Sequence, residues 1–246
     1  MLVDVHTHLT DDKFKNNIDN VIKRAQKNNL IYVISNGINY KDNIKVLKLS
    51  KKYKIVKAAF GLYPLDVVKS QEDEIQSTLN QIKKYKDEII AIGEVGLDNT
   101  YEHLKKQKEI FSEIIELAIK IKKPLIIHSR KAEQECIDLL KNYGFKKALF
   151  HSFTGNFKLI KTIQDNNWMI SIPTNVVRSE HFQKIVKEFN LNQILTETDA
   201  PYLSPYKNKV NEPSFIVETI KMISKIRNLT KEEVEKIIFM NFQKFF

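Results

Sequence analysis

The sequence predicts an α/β protein, a (β/α)8 TIM barrel folded as a single domain over residues 1–246. Three observations carry this. Eight short runs rich in Val, Ile and Phe recur along the whole chain, and between them lie longer segments whose apolar residues repeat with helical spacing. No shift of composition and no Ser/Gly-rich linker divides the chain, which has the length at which such barrels fold as one unit. Regular alternation implies a parallel sheet, and the count of eight favours closure over an open doubly wound sheet, which stays as the structural alternative.

The elements follow in order. "LVDVH" is the first strand, and the amphipathic "FKNNIDNVIKRAQKNN" follows it. "IYVISNG" and the helix "KDNIKVLKLSKKY" come next, then the strands "IVKAAFG" and "IIAIGEVG". The helix "KKQKEIFSEIIELAIKIKK" ends in lysines just before Pro124, an ordinary helix stop, and the strand "PLIIHS" begins there. "AEQECIDLLKNYG" is helical in pattern and ends at Gly144; its Cys136 is expected to be a small, half-buried side chain. "KALFHSF", "WMISIP" and "QILTETDAP" complete the eight strands, with "SEHFQKIVKEFN" preceding the last of them. "EPSFIVETIKMISKIRN" and "KEEVEKIIFMNFQKFF" close the chain as helices.

Composition bounds the function class. Apolar residues make up 42% of the chain, and no run of them is long enough to span a bilayer. With a single cysteine there is no internal disulfide, so a cytoplasmic protein with no membrane partner is expected, monomeric by default. The formal net charge of +10 comes from lysines scattered over helix faces. Such an excess creates a positive potential that attracts polyanions without naming one.

The titratable groups cluster more tightly than the charges do. His6 and His8, in "VDVHTHL", are two residues apart, a spacing that shares a face on a strand and not on a helix. Asp4 shares that face and is expected to support the barrel or a ligand rather than to bind metal itself. An HxH pair alone says little, but a barrel makes the ends of all eight strands equivalent. Glu94 ends the fourth, His128 the fifth, His151 the sixth and Asp199 the eighth. Imidazoles and carboxylates together suit Zn, Mn, Ni or Fe, and six such groups exceed what one catalytic ion needs. Two divalent metal ions per subunit are therefore expected, bridged by Glu94 because a carboxylate has one oxygen for each. His103 and His181 fall at helix starts and are expected to face solvent.

Taken in order, "VDVHTHL", "GEVGLD", "IIHSR", "HSFTG", "TETDAPYLSP" and "NEP" resemble the TatD family of metal-dependent deoxyribonucleases, within the amidohydrolase-like barrels. The resemblance runs over essentially the whole chain. It implies hydrolysis of DNA phosphodiester bonds with divalent ions (Mg, Mn or Zn), as an exonuclease on single-stranded ends. It implies further that His6, His8, Glu94 and Asp199 hold one ion and Glu94, His128 and His151 the other, and that Glu94 and Asp199 are catalytic, Asp199 taking the proton from the attacking water.

The chain departs from the family pattern in three places. Tyr63 in "GLYP" replaces a usual histidine, Asn99 and Thr100 stand where an aromatic residue often follows "GLD", and Glu113 stands where glutamine is common. A tyrosine hydroxyl can donate a hydrogen bond to phosphate but carries no charge at neutral pH. Arg130, Arg178 and Asn175 are the further candidates for gripping phosphate, and Tyr63 and Tyr202 for stacking on a base or sugar. Two other readings remain open on the sequence: a hydrolase of the same barrel class acting on a small phosphoester or amide, and a nucleic-acid-binding protein with a structural metal.

Overall fold

The computed structural model describes residues 1–246 and contains one eight-stranded parallel sheet in the order β1 to β8, wrapped by ten helices. The strands are β1 (Leu2–Thr7), β2 (Leu30–Asn36), β3 (Val56–Phe60), β4 (Ala91–Asp98), β5 (Leu125–Arg130), β6 (Ala148–Phe150), β7 (Met169–Ile172) and β8 (Ile194–Thr196). Every residue of β1 and β4 is buried, as strands covered on both faces require.

The helices are α1 (Ile18–Lys27), α2 (Tyr40–Lys52), α3 (Pro64–Lys69), α4 (Glu72–Lys84) and α5 (Leu104–Ile121) in the first half. The second half has α6 (Glu133–Asn142), α7 (Phe157–Asp165), α8 (Glu180–Glu188), α9 (Ile216–Arg227) and α10 (Lys231–Phe245). Their ends follow local chemistry. Pro64 opens α3, where its missing N–H costs nothing, and Thr230 with Glu233 forms a reciprocal capping box on α10. Gly144, at φ +60, supplies the left-handed residue that turns the chain after α6.

The seam between β8 and β1 is where the barrel closes and where the site begins. Thr196 donates its hydroxyl to the Val3 carbonyl at 2.8 Å. Beyond the end of β8 the backbone continues the seam: Asp199 N–H donates to His6 O at 2.9 Å and His8 N–H to Ala200 O at 2.7 Å. Asp4 is fully buried and accepts from the Thr198 N–H (2.9 Å) and hydroxyl (2.5 Å), so it supports the barrel as its strand face suggests. The outer layer is fastened by similar polar contacts, such as Asn241 of α10 donating to the carbonyls of Leu191 and Ile194. Trp168, among the largest fully buried side chains, donates its indole N–H to the Phe145 carbonyl, so its burial leaves no donor unpaired.

Three placements differ from the sequence expectation. Cys136 is fully buried rather than half-buried, with its thiol against the His128 carbonyl at 3.7 Å, because α6 turns that side toward β5. His181 is half-buried rather than solvent-facing: it packs on Phe157 and Phe182, with Nε2 3.1 Å from the Phe153 carbonyl. The assigned β8 ends at Thr196, so Asp199 lies three residues beyond it, at φ +53, held by its bond to His6. No helix is long and apolar enough to cross a membrane.

Candidate metal centre

Parallel strands all run toward one rim, and five of them bring an imidazole or carboxylate there, from inside β1, β4 and β5 and from just past β1, β6 and β8. Glu94 lies four residues before the end of β4 rather than at it as expected, because the strand continues to Asp98. His6 lies within β1 and His8 one residue past its end, and the two rings converge with Nε2 atoms 3.2 Å apart. Asp199 Oδ1 is 3.5 Å from both nitrogens. Glu94 Oε2 is 3.6 Å from His6 Nε2 and 3.3 Å from His8 Nε2. His8 and His6 thus each lie 3.2–3.6 Å from the other, from Asp199 and from Glu94, close to the roughly 3.3 Å edge of a tetrahedron whose bonds are 2.0–2.1 Å long.

The other Glu94 oxygen faces a second group. Oε1 lies 2.8 Å from His128 Nδ1 and 3.0 Å from His151 Nε2, and those nitrogens are 3.3 Å apart. His6, Glu94 and His151 are also mutually close, because the His6 and His151 rings stack at 3.9 Å. The oxygen-by-oxygen distances nevertheless separate two donor groups, one on each side of the Glu94 carboxylate. The donor set of imidazole nitrogens and carboxylate oxygens, almost wholly buried, fits transition-metal or zinc ions.

Electrostatics agree with that fit. Burial alone would raise Glu94, yet the charges of His151 and His6 and hydrogen bonds from His128 and His151 hold its carboxyl well below the usual range. Against burial, hydrogen bonds to Asp199 and Glu94 push His8 up to about 10, and His128 and His151 are raised by their carboxylate partners as well. Burial drives His6 the other way, to about 4. Raised imidazoles beside lowered carboxylates are the arrangement in which a cation would compete with protons for the same donor atoms.

A cleft of about 730 Å³ opens over these groups. Of the residues expected to touch substrate, Tyr63, Arg130 and Tyr202 line it, and Asn175 and Arg178 do not. Asn175 lies in the 3-10 turn Thr174–Val177 and Arg178 just past it, and the Arg178 guanidinium donates to the Ser204 carbonyl at 2.6 Å. Arg130, by contrast, is exposed and has no side-chain partner, whereas Arg24, Arg178 and Arg227 are all tied to acceptors. The Tyr63 hydroxyl lies 3.5 Å from His128 Nε2, and Tyr202 lies edge-on to His8 with Lys13 over its ring. His103 is exposed, as expected, and does not line the cleft.

The sequence reading missed several groups. Asp98 Oδ2 lies 2.9 Å from His128 Nε2, and Glu197 is fully buried beside His151. Both stand inside the quoted stretches "GEVGLD" and "TETD", so adjacency to a candidate ligand was the available signal. Tyr101, Asp42 and Lys45 also line the cleft, but they sit on loops or a helix where spacing alone gives no direction.

The comparisons with known proteins are consistent along the whole chain. A family model described as "TatD related DNase" matches residues 3–246. An uncharacterized metal-dependent hydrolase of Methanocaldococcus jannaschii is 38% identical over 244 residues, covering 99% of this chain and 96% of the relative. Deoxyribonuclease TATDN3 of Homo sapiens is 32% identical over 259 residues, 100% of this chain and 94% of the relative. Among solved structures, the TatD homologue YjjV from Escherichia coli superposes with a TM-score of 0.93 at 21% identity, covering 100% of this chain and 97% of that one, a likeness of fold.

Proposed function

Since the chain belongs to the TatD-related DNase family of metal-dependent hydrolases, we propose that it is a deoxyribonuclease that removes nucleotides from single-stranded DNA ends with two divalent ions, Mg, Mn or Zn. The observation that carries the reading is Glu94, whose two carboxylate oxygens face two separate groups of nitrogen donors. His6, His8, Glu94 and Asp199 hold one ion, and Glu94, His128 and His151 the other. When bound, a pair of such ions acidifies water and neutralises the charge of a phosphodiester at the attacked and leaving oxygens.

The remaining roles belong to the chain. Asp199 opens on the cleft and takes the proton of the attacking water. Arg130, exposed at the end of β5 and unpaired, presents a planar fork to a phosphate oxygen. The Tyr63 hydroxyl donates to the same group; partial burial first, then the nearby Glu94 charge, raises its pKa further, so it serves as a neutral donor. Tyr202, exposed at the rim with Lys13 beside it, offers a face on which an unpaired base stacks. A duplex keeps its bases stacked on one another, which is why the unpaired end is favoured.

The discriminating experiment compares end-labelled single-stranded DNA, duplex DNA, RNA, bis-p-nitrophenyl phosphate and a cyclic amide with metal-loaded protein. Loss of terminal nucleotides from single-stranded DNA is the expected result. Hydrolysis of the small ester or the amide alone would move the assignment to another substrate class of the same barrel.

A further inference from the structure

The two halves of the donor cluster are not supported alike. His128 turns Nδ1 toward Glu94 and Nε2 toward Asp98 Oδ2 at 2.9 Å. Asp98 is itself fixed, accepting from the Thr100 N–H at 2.8 Å and the Thr100 hydroxyl at 2.5 Å. His151 turns Nε2 toward Glu94 and Nδ1 toward Glu197 Oε1 at 3.8 Å. Those last two atoms are both buried and neither has any other partner. Each is therefore the other's only candidate, and an approach of about 1 Å makes the hydrogen bond. The second Glu197 oxygen is held by the Ser171 hydroxyl at 2.5 Å, which keeps the carboxylate aimed.

Nothing comparable stands behind the other pair. His6 Nδ1 is buried without a partner, and no carboxylate backs His8 away from the cluster. An imidazole that donates its outer N–H to a carboxylate is locked in one tautomer, and its inner nitrogen becomes a stronger electron donor.

We propose that Asp98 and Glu197 are positioning residues for His128 and His151, and that they strengthen the hold on one ion of the pair only. The inference rests on the two-ion reading above. It assigns the Nε2–H tautomer to His128 and the Nδ1–H tautomer to His151, whereas His6 and His8 are left without this constraint.

The test is a titration of chelator-treated protein with Zn(II), followed calorimetrically, for the wild type, Asp98→Asn, Glu197→Gln and Ser171→Ala. Each of the first two variants should weaken one ion by about 10- to 100-fold and leave the other unchanged, and Ser171→Ala should act more mildly in the same direction. Asp98→Glu should restore part of the loss. Imidazole 15N spectra of the zinc-loaded wild type should show the two assigned tautomers. Circular dichroism separates weakened binding from failure to fold, and the spectra of the wild type decide the matter if a variant does not fold. Unchanged affinities in folded variants, or the opposite tautomers, would overturn the inference. Should the wild type bind a single ion, the two-ion reading fails. Asp98 and Glu197 keep their role only if the variants weaken that ion.

Discussion

Glu94 stands 2.8 Å from His128 Nδ1 through one carboxylate oxygen, while its other oxygen faces His8 at 3.3 Å. A group with two faces cannot be replaced by one with a single charged face or none. Glu94→Gln keeps the shape and loses the charge that lies between the two donor groups, so turnover should fall on the order of 10²–10³-fold or more. Affinity for single-stranded DNA, measured by fluorescence anisotropy, should stay within a few-fold of wild type. Unchanged turnover would remove Glu94 from the centre of the account.

Arg130 and Arg178 separate a cleft cation from a tied one. Arg130→Ala should lower kcat/KM for labelled DNA by about 10-fold or more, the loss of one charge-assisted hydrogen bond to phosphate. Thermal stability should hardly move, because the side chain is exposed and has no partner. Arg178→Ala removes a bond to Ser204 outside the cleft and should leave kcat/KM near wild type.

The acid–base behaviour of the metal-free protein has a definite sign. His8 is raised from 6.5 to about 10, so its contribution to stability is complete below pH 6.5 and is lost as pH rises toward 10. Glu94 and Asp199 are lowered, so theirs is present above pH 4.5 and is lost as pH falls below the carboxylate range. Melting temperatures of the chelator-treated protein should therefore decline from pH 6.5 to 10. Added metal displaces the protons and should raise stability most on that alkaline side. Calorimetry in two buffers of different ionisation enthalpy should show proton release on binding, and none would contradict competition between metal and protons for these donor atoms.

Asn211 ties the loop after β8 to its surroundings. Its amide nitrogen lies 2.8 Å from the Thr174 hydroxyl and 2.7 and 2.6 Å from the carbonyls of Thr198 and Tyr202, so two N–H groups serve three acceptors, all from a fully buried position. Asn211→Ala leaves these acceptors unpaired and should cost about 2–4 kcal/mol in chemical denaturation. Because Asp199 lies in the same loop, metal affinity should drop as well.

The sequence made the barrel readable because its strands are apolar runs and its helices are amphipathic, two periods that do not overlap. His6, Glu94, His128 and His151 were readable because each stands at or near the end of such a run, where the fold sends every strand to one rim. Asp98 and Glu197 were not, since a carboxylate beside a candidate ligand looks the same whether it backs an imidazole or faces solvent. Asn175 and Arg178 show the opposite limit. Position after a strand places a residue near the rim, but its local partners decide whether it reaches the cleft, as the Ser204 carbonyl does for Arg178. "NEP", quoted only as part of a resemblance, gained a physical meaning in Asn211, and Glu212 beside it pairs with Arg24 at 2.6 Å.

The most direct measurement is the metal dependence of DNA hydrolysis by the chelator-treated protein, with bound ions counted by elemental analysis. Release of nucleotides from the ends of labelled single-stranded DNA should appear as metal is restored and reach its plateau at two ions per chain. A plateau at one ion, or no cleavage of any phosphodiester at full loading, would contradict the account.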